Sequence, residues 1–182
     1  MKVVYLGLSG VLHPSASLYK WLHRGSPWDR GHTEFECVST LEAALDGWPE
    51  VGLVLTSTLP RIRGMSAVLE GLGPALAGRI RGVTFDDITT KAKRRVTTQG
   101  GEANLVGYSP DDYWRMDKSE IVRVHVEWLR PDAWIAIDDE DIRWSAAVRD
   151  DRLVLTDGCV GLGSKASQAR LRAVMLANFG GC

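Results

Sequence analysis

Residues 134–141 read Trp-Ile-Ala-Ile-Asp-Asp-Glu-Asp, an apolar run that ends abruptly in acid. A short, uninterrupted apolar run reads as a strand buried on both faces of a parallel sheet. Residues 3–14, Val-Val-Tyr-Leu-Gly-Leu-Ser-Gly-Val-Leu-His-Pro, make a second such strand, this one running into a glycine turn. In a parallel α/β sheet both strands end at the same edge, where such sheets bind ligands. One would bring Asp138 and Asp139 to that edge and the other Gly7 and Ser9. Two acids at one strand end face an uncharged pair at the other, and the functional reading turns on that asymmetry.

Working outward, residues 51–56 (Val-Gly-Leu-Val-Leu-Thr), 79–85 (Arg-Ile-Arg-Gly-Val-Thr-Phe) and 152–156 (Arg-Leu-Val-Leu-Thr) read as three further strands. Helical spacing falls between them. A helix beginning at Thr40 places Leu41, Ala44 and Leu45 on one face and stops at Gly47 and Pro49. Pro60 opens a helix to about Gly71, with Ile62, Met65, Val68 and Leu69 in register. Residues 117–129 turn Ile121, Val122, Val126 and Leu129 inward before Pro131. A short helix is expected over 141–149, and a final one over 164–178 with Ala169, Leu171, Val174 and Met175 among its apolar positions. Residues 13–37, with Gly25, Pro27 and Gly31, read as a loop or flap. The polar stretch 86–114, with Gly100-Gly101 and the cluster Lys91, Lys93, Arg94 and Arg95, reads as a small inserted hairpin or mobile loop. Strands alternating with helices predict an α/β, Rossmann-like three-layer sandwich around a mainly parallel five-stranded sheet. One domain spanning residues 1–182 accounts for the whole pattern.

Bulk properties narrow the functional classes. The 22 basic and 23 acidic residues leave a net charge of −1, so nothing in the balance argues for nucleic acid or membrane. No apolar run approaches bilayer length, and the N-terminus lacks a secretory h-region, so a cytoplasmic setting is expected. Cys37, Cys159 and Cys182 show neither metal-ligand spacing nor a disulfide framework. The seven tryptophans are expected mostly as core or packing residues, those at 21–48 packing a loop over the sheet.

The sheet-edge rule brings together Gly7–Gly10, Thr56–Thr58, Lys118 and Asp138–Asp141. Hydroxyls and backbone N–H groups bind phosphate oxygens, a lysine neutralises them, and adjacent carboxylates hold Mg2+. Each residue also has a plainer use. An Asp after a strand commonly caps a helix. Thr56, Ser57 and Thr58 could cap the turn before Pro60, and Lys118 could be a solvated first-turn lysine. The four histidines lack ligand spacing.

In this order and on this pattern, the segments resemble the haloacid dehalogenase (HAD) superfamily of phosphohydrolases, and in particular the HAD domains associated with bacterial RNA-repair (Swiss Army Knife) proteins. Residues 4–14 resemble the first motif, in which Asp-x-Asp-Gly-Val-Leu-His-Pro is expected. Residues 54–58 resemble the second motif, and 79–84 a strand of the subgroup. Residues 118–121 resemble the third motif and 134–139 the metal-binding fourth. Thr156-Asp157 with Gly161-Leu162 resembles a C-terminal signature. The resemblance implies a HAD-like sheet with no large cap domain. It implies phosphate binding by Thr56, Ser57 and Lys118, with Arg115 competing as the third-motif cation, and metal binding by Asp138 and Asp139. It also implies that the first-motif aspartates, nucleophile and general acid/base, are replaced by Gly7 and Ser9. With the nucleophile's side chain gone, any Mg2+ site is expected to be weak or absent. The first reading is therefore a fold that has lost phosphoaspartyl catalysis and binds a phosphorylated small molecule or nucleic-acid end, or a protein partner. The others are a metal-dependent phosphohydrolase with a different nucleophile, and a nucleic-acid-repair accessory protein.

Overall fold

The computed structural model describes residues 1–97 and 103–180. Gly100-Gly101 and Cys182, singled out above, lie outside the described residues. In chain order the elements are β1 (Lys2–Leu6), α1 (Ala16–His23), α2 (Val38–Leu45), β2 (Val51–Leu55), α3 (Leu59–Arg63), α4 (Met65–Ala77), β3 (Ile80–Val83), α5 (Thr84–Thr90), β4 (Lys93–Thr97), β5 (Ala103–Gly107), α6 (Pro110–Arg115), α7 (Lys118–Leu129), β6 (Ala133–Asp138), α8 (Ala146–Asp151), β7 (Leu153–Leu155) and α9 (Lys165–Phe179).

β3-β2-β1-β6-β7 form one five-stranded sheet, every neighbouring pair parallel. β1 is central, with Leu6 in register with both Leu55 and Ile137. The chain builds outward from β1 on one side through β2 and β3, then crosses to β6 and β7 on the other. That reversal creates a switch point at the C-terminal end of β1, where a crevice opens.

Alternation along the strands sorts the core. Val4, Leu6, Leu53, Leu55, Ile135 and Ile137 pack with buried residues of α2, α4 and α9, including Leu41, Leu72 and Leu171. Val3, Tyr5, Val54 and Ala136 face the other way, onto Val122, Val126 and Leu129 of α7. Val3, Val4, Tyr5 and Leu6 are fully buried. Each such side chain contributes about 2 kcal/mol by leaving water, so β1 is the strand on which both layers depend.

Several expectations shift. Residues 13–37 hold α1 and a short 3-10 turn at Trp28–Arg30. Tyr19 alone is buried in α1, so that helix had no apolar stripe to announce it. The helix from Pro60 is broken at Gly64 (φ 88°), which ends α3 and leaves Ile62 mostly exposed rather than inward. The helix expected over 141–149 begins only at Ala146, capped by the Ser145 side chain at the Val148 N–H. Ala169, expected on the apolar side of the last helix, is exposed. The 86–114 stretch contains α5, a β4–β5 antiparallel hairpin with every described residue exposed, and α6. Trp48, Trp128, Trp134 and Trp144 pack against the core, as expected of most of the tryptophans, whereas Trp21, Trp28 and Trp114 are exposed.

A polar chain crosses the α7 face. The Tyr5 hydroxyl lies 2.9 Å from His125 Nδ1, His125 Nε2 lies 3.1 Å from Asp87 Oδ2, and Lys91 Nζ donates to Asp87 Oδ1 at 2.7 Å. A carboxylate only accepts, so Nε2 carries the proton and Nδ1 accepts from Tyr5. This neutral imidazole ties β1, α5 and α7 together. Burial holds its pKa below 6.5, against the opposing pull of Asp87. The unfolded chain takes up the proton near 6.5 while the folded one resists it. The contribution of His125 is therefore complete above about pH 6.5 and is lost as pH falls from there towards the lower folded pKa. His125→Phe, which strips Tyr5 and Asp87 of a buried partner, should cost about 3 kcal/mol at pH 7. Chemical denaturation at pH 5.5 should show a smaller cost, the contribution of His125 itself being read as the difference between the protein and the variant at each pH.

Candidate functional site

Four segments converge on the switch point. Thr56 N donates to Leu6 O at 3.0 Å and Gly7 N to Ile137 O at 2.9 Å, so the strand ends stay aligned past the sheet. Asp117 caps α7 by accepting from Glu120 N at 2.9 Å, which places Lys118 on the first turn. A cleft of about 190 Å³ results, walled by Ser9, Ser57, Thr58, Lys118, Asp138 and Asp139 among others. A second groove, of about 160 Å³, adjoins it through the shared walls Thr58, Lys118 and Glu140, and has Thr56 in its lining. The residues expected from sequence are thus brought together, with Gly7 beneath Asp138.

Lys118 Nζ lies 3.3 Å from Asp138 Oδ2 and donates to Thr56 O at 3.2 Å. Arg115, the rival cation, is exposed and outside the walls of both cavities. A Cβ at Gly7 would stand 2.9 Å from Asp138 Oδ2, 3.2 Å from Val11 Cγ2 and 3.3 Å from Ile137 O. The Asp138 carboxylate therefore occupies the room that any side chain at position 7 would enter. Asp138 does not cap a helix: its Oδ1 takes only the N–H of Glu140, at 3.3 Å.

Asp139 is held differently. Its Oδ2 fills the space over Gly10 (φ 75°), where a Cβ would come to 2.1 Å, and over Gly158, at 2.8 Å. Burial, with the neighbouring Asp138 charge, pushes its pKa up to about 6. The 156–162 segment braces this arrangement: Thr156 Oγ1 donates to Gly10 O at 2.7 Å, and Leu162 N to Val11 O at 2.8 Å. Gly158 had no signal of its own in the sequence beyond lying inside the C-terminal signature.

The hydroxyls divide by role. Ser57 Oγ accepts from Leu59 N at 3.1 Å, the local turn bond that the plainer reading anticipated. Thr56 Oγ1 is buried and has no hydrogen-bond partner among the described residues. Ser9 Oγ is 3.3 Å from His13 Nε2, and Phe35 N donates to His13 Nδ1 at 3.3 Å. With Nδ1 accepting, the neutral ring carries its proton on Nε2 and donates to Ser9. Burial lowers the His13 pKa and keeps that neutral form. Such a histidine holds Ser9 in place but does not draw off its proton.

Among the described residues no group of three or more His, Cys, Asp and Glu is placed to hold a metal ion. Asp138 is engaged by Lys118, Asp139 by its glycine cradle, and Gly7 offers no ligand. The Mg2+ that the resemblance implies is usually held by one or two carboxylates and several waters. Asp138 and Asp139, which wall the same cleft, are therefore the residues that would hold it, with Lys118 competing for Asp138.

A parallel α/β sheet with hydroxyl, lysine and acid-pair segments at one edge defines a HAD-like protein. The chain belongs to the family described as the HAD domain in Swiss Army Knife RNA repair proteins, which matches residues 3–166. No curated protein and no solved structure matches it.

Two substitutions test this geometry. Gly7→Ala would bring a Cβ to 2.9 Å from Asp138 Oδ2, so that carboxylate must give by a few tenths of an ångström, and the variant should lower the unfolding free energy by about 1 kcal/mol in urea titration. Lys118→Met should cost about 2 kcal/mol by stranding a buried carboxylate, and adding Asp138→Asn should recover much of that loss. An unrescued double variant would show that the ion pair is not what Lys118 contributes.

Proposed function

We propose that this protein is a HAD-like pseudoenzyme that binds a phosphorylated ligand, a small molecule or nucleic-acid end, without phosphoaspartyl chemistry. The observation that carries this reading is the pairing of a filled nucleophile position with an unsatisfied phosphate-side donor. Asp138 stands where a side chain at Gly7 would enter, while the Thr56 hydroxyl is buried beside Lys118 with no partner among the described residues. A phosphate oxygen would supply the acceptor that hydroxyl lacks, since an unmade buried hydrogen bond costs roughly 1–3 kcal/mol. Lys118 would neutralise the phosphate charge, and the free hydrogen of Ser9, which takes its own bond from His13, could point to the same oxygen cluster.

The chain's own groups offer no ready nucleophile in place of the missing one. Gly7 has no side chain, and Ser9 faces a donor rather than a base, so its hydroxyl stays protonated near neutral pH. Asp138 is buried and paired. The buried free thiols of Cys37 and Cys159 suit a reducing, cytoplasmic setting. Among the described residues no helix is long and apolar enough to cross a membrane.

Hydrolysis of an aryl phosphate with Mg2+ should give the same background rate for the protein and its Asp138→Ala variant. Calorimetry with inorganic phosphate should show binding that Lys118→Met weakens at least tenfold, the loss of one charge-assisted contact. Metal-dependent turnover abolished by Asp138→Ala would overturn the proposal.

A further inference from the structure

The groove beside the phosphate cleft has a wall that the phosphate reading leaves unused. Trp114, at the end of α6, is 51% exposed although its neighbour Tyr113 is almost fully buried. Tyr113 is anchored at 2.7 Å to the Thr84 hydroxyl, which in turn donates to Leu55 O, so the residue before Trp114 is fixed to the sheet. Phe85 lies under this corner, its ring centroid 5.6 Å from that of Trp114 and inclined at 39°. The Arg61 guanidinium stacks on Phe85 at 3.8 Å and reaches 6.0 Å from the Trp114 ring. The indole is therefore held in place by aromatic and cationic neighbours while half of it stays open to water. It shares its groove with Thr56 and Lys118, the groups assigned above to phosphate, and with Thr58 and Glu140. The Glu140 carboxylate has no side-chain partner among the described residues.

The geometry points to a stacking platform for the organic part of the phosphorylated ligand, which makes that ligand a nucleotide unit: phosphate at Thr56 and Lys118, base on Trp114. This inference rests on the phosphate-binding reading of the same cleft. A fixed, half-open indole favours a planar ring, because stacking covers it without ordering the protein further. A free carboxylate at the same groove favours a ring that carries N–H donors, as nucleobases do and a phenyl ring does not. The one ligand would then span two adjoining cavities that meet at Thr58, Lys118 and Glu140.

The test is calorimetry with AMP, glycerol 3-phosphate and inorganic phosphate on the full chain, on Trp114→Ala and on Trp114→Phe. Exposure of Trp114 makes both variants safe for folding, which circular dichroism checks. The expected result is that AMP binds about tenfold or more tightly than the two ligands lacking a base. Trp114→Ala should erase that advantage while leaving inorganic phosphate unchanged, and Trp114→Phe should keep most of it. Equal affinity for all three ligands, with phosphate binding intact, would overturn the platform and spare the phosphate site. An AMP advantage that survives Trp114→Ala would place the base elsewhere and likewise overturn it. Failure of all three ligands to bind the unmodified protein would overturn the phosphate reading itself, and the platform with it.

Discussion

One contact sets the terms for the rest of the site: the carboxylate of Asp138 against the ammonium of Lys118, over a glycine. The carboxylate is almost wholly removed from water and would be costly there without a cation. The cation in turn is positioned by the cap on its helix and by the carbonyl of Thr56. The pair needs the volume above Gly7, and any larger residue would compete for it. The ion pair therefore lies against Gly7, the position at which the resemblance places a HAD enzyme's reacting carboxylate.

The second acid obeys a different constraint. Asp139 is surrounded by backbone that tolerates it only because Gly10 and Gly158 have no Cβ. The first of these also has a left-handed backbone that glycine adopts without strain. Adjacent in sequence and walling one cleft, the two aspartates have different neighbours, Lys118 for Asp138 and the glycine backbone for Asp139.

Much of this was legible in the sequence, for a physical reason. Strands buried on both faces, such as Val51–Leu55, leave unbroken apolar runs, and their order with intervening helices fixes which ends share an edge. Lys118, Thr56, Ser57, Asp138 and Asp139 could therefore be placed together from the chain alone. What stayed hidden depended on partners distant in sequence. Nothing local reveals that the Gly7 space is filled from β6, that Gly158 lies against Asp139, or that His13 orients Ser9 by accepting from Phe35. Helix α1 was missed because it buries little, and the exposed tryptophans were misplaced because residue type reports average burial, not the burial of a rim position. The break at Gly64 had a signal, the glycine itself, but only its positive φ shows that the helix ends there.

The bond from Thr156 to the Gly10 carbonyl joins residues 146 positions apart. A ribosome delivers the first strand, its glycine turn and the lysine-bearing helix long before it delivers Thr156 and Gly158. During synthesis the β1 loop must wait unbraced, with Asp139 lacking one wall of its cradle. The ligand cleft is in this way a late product of translation: a chain ending before residue 156 lacks the Thr156 brace and the Gly158 wall, so it cannot present a finished site.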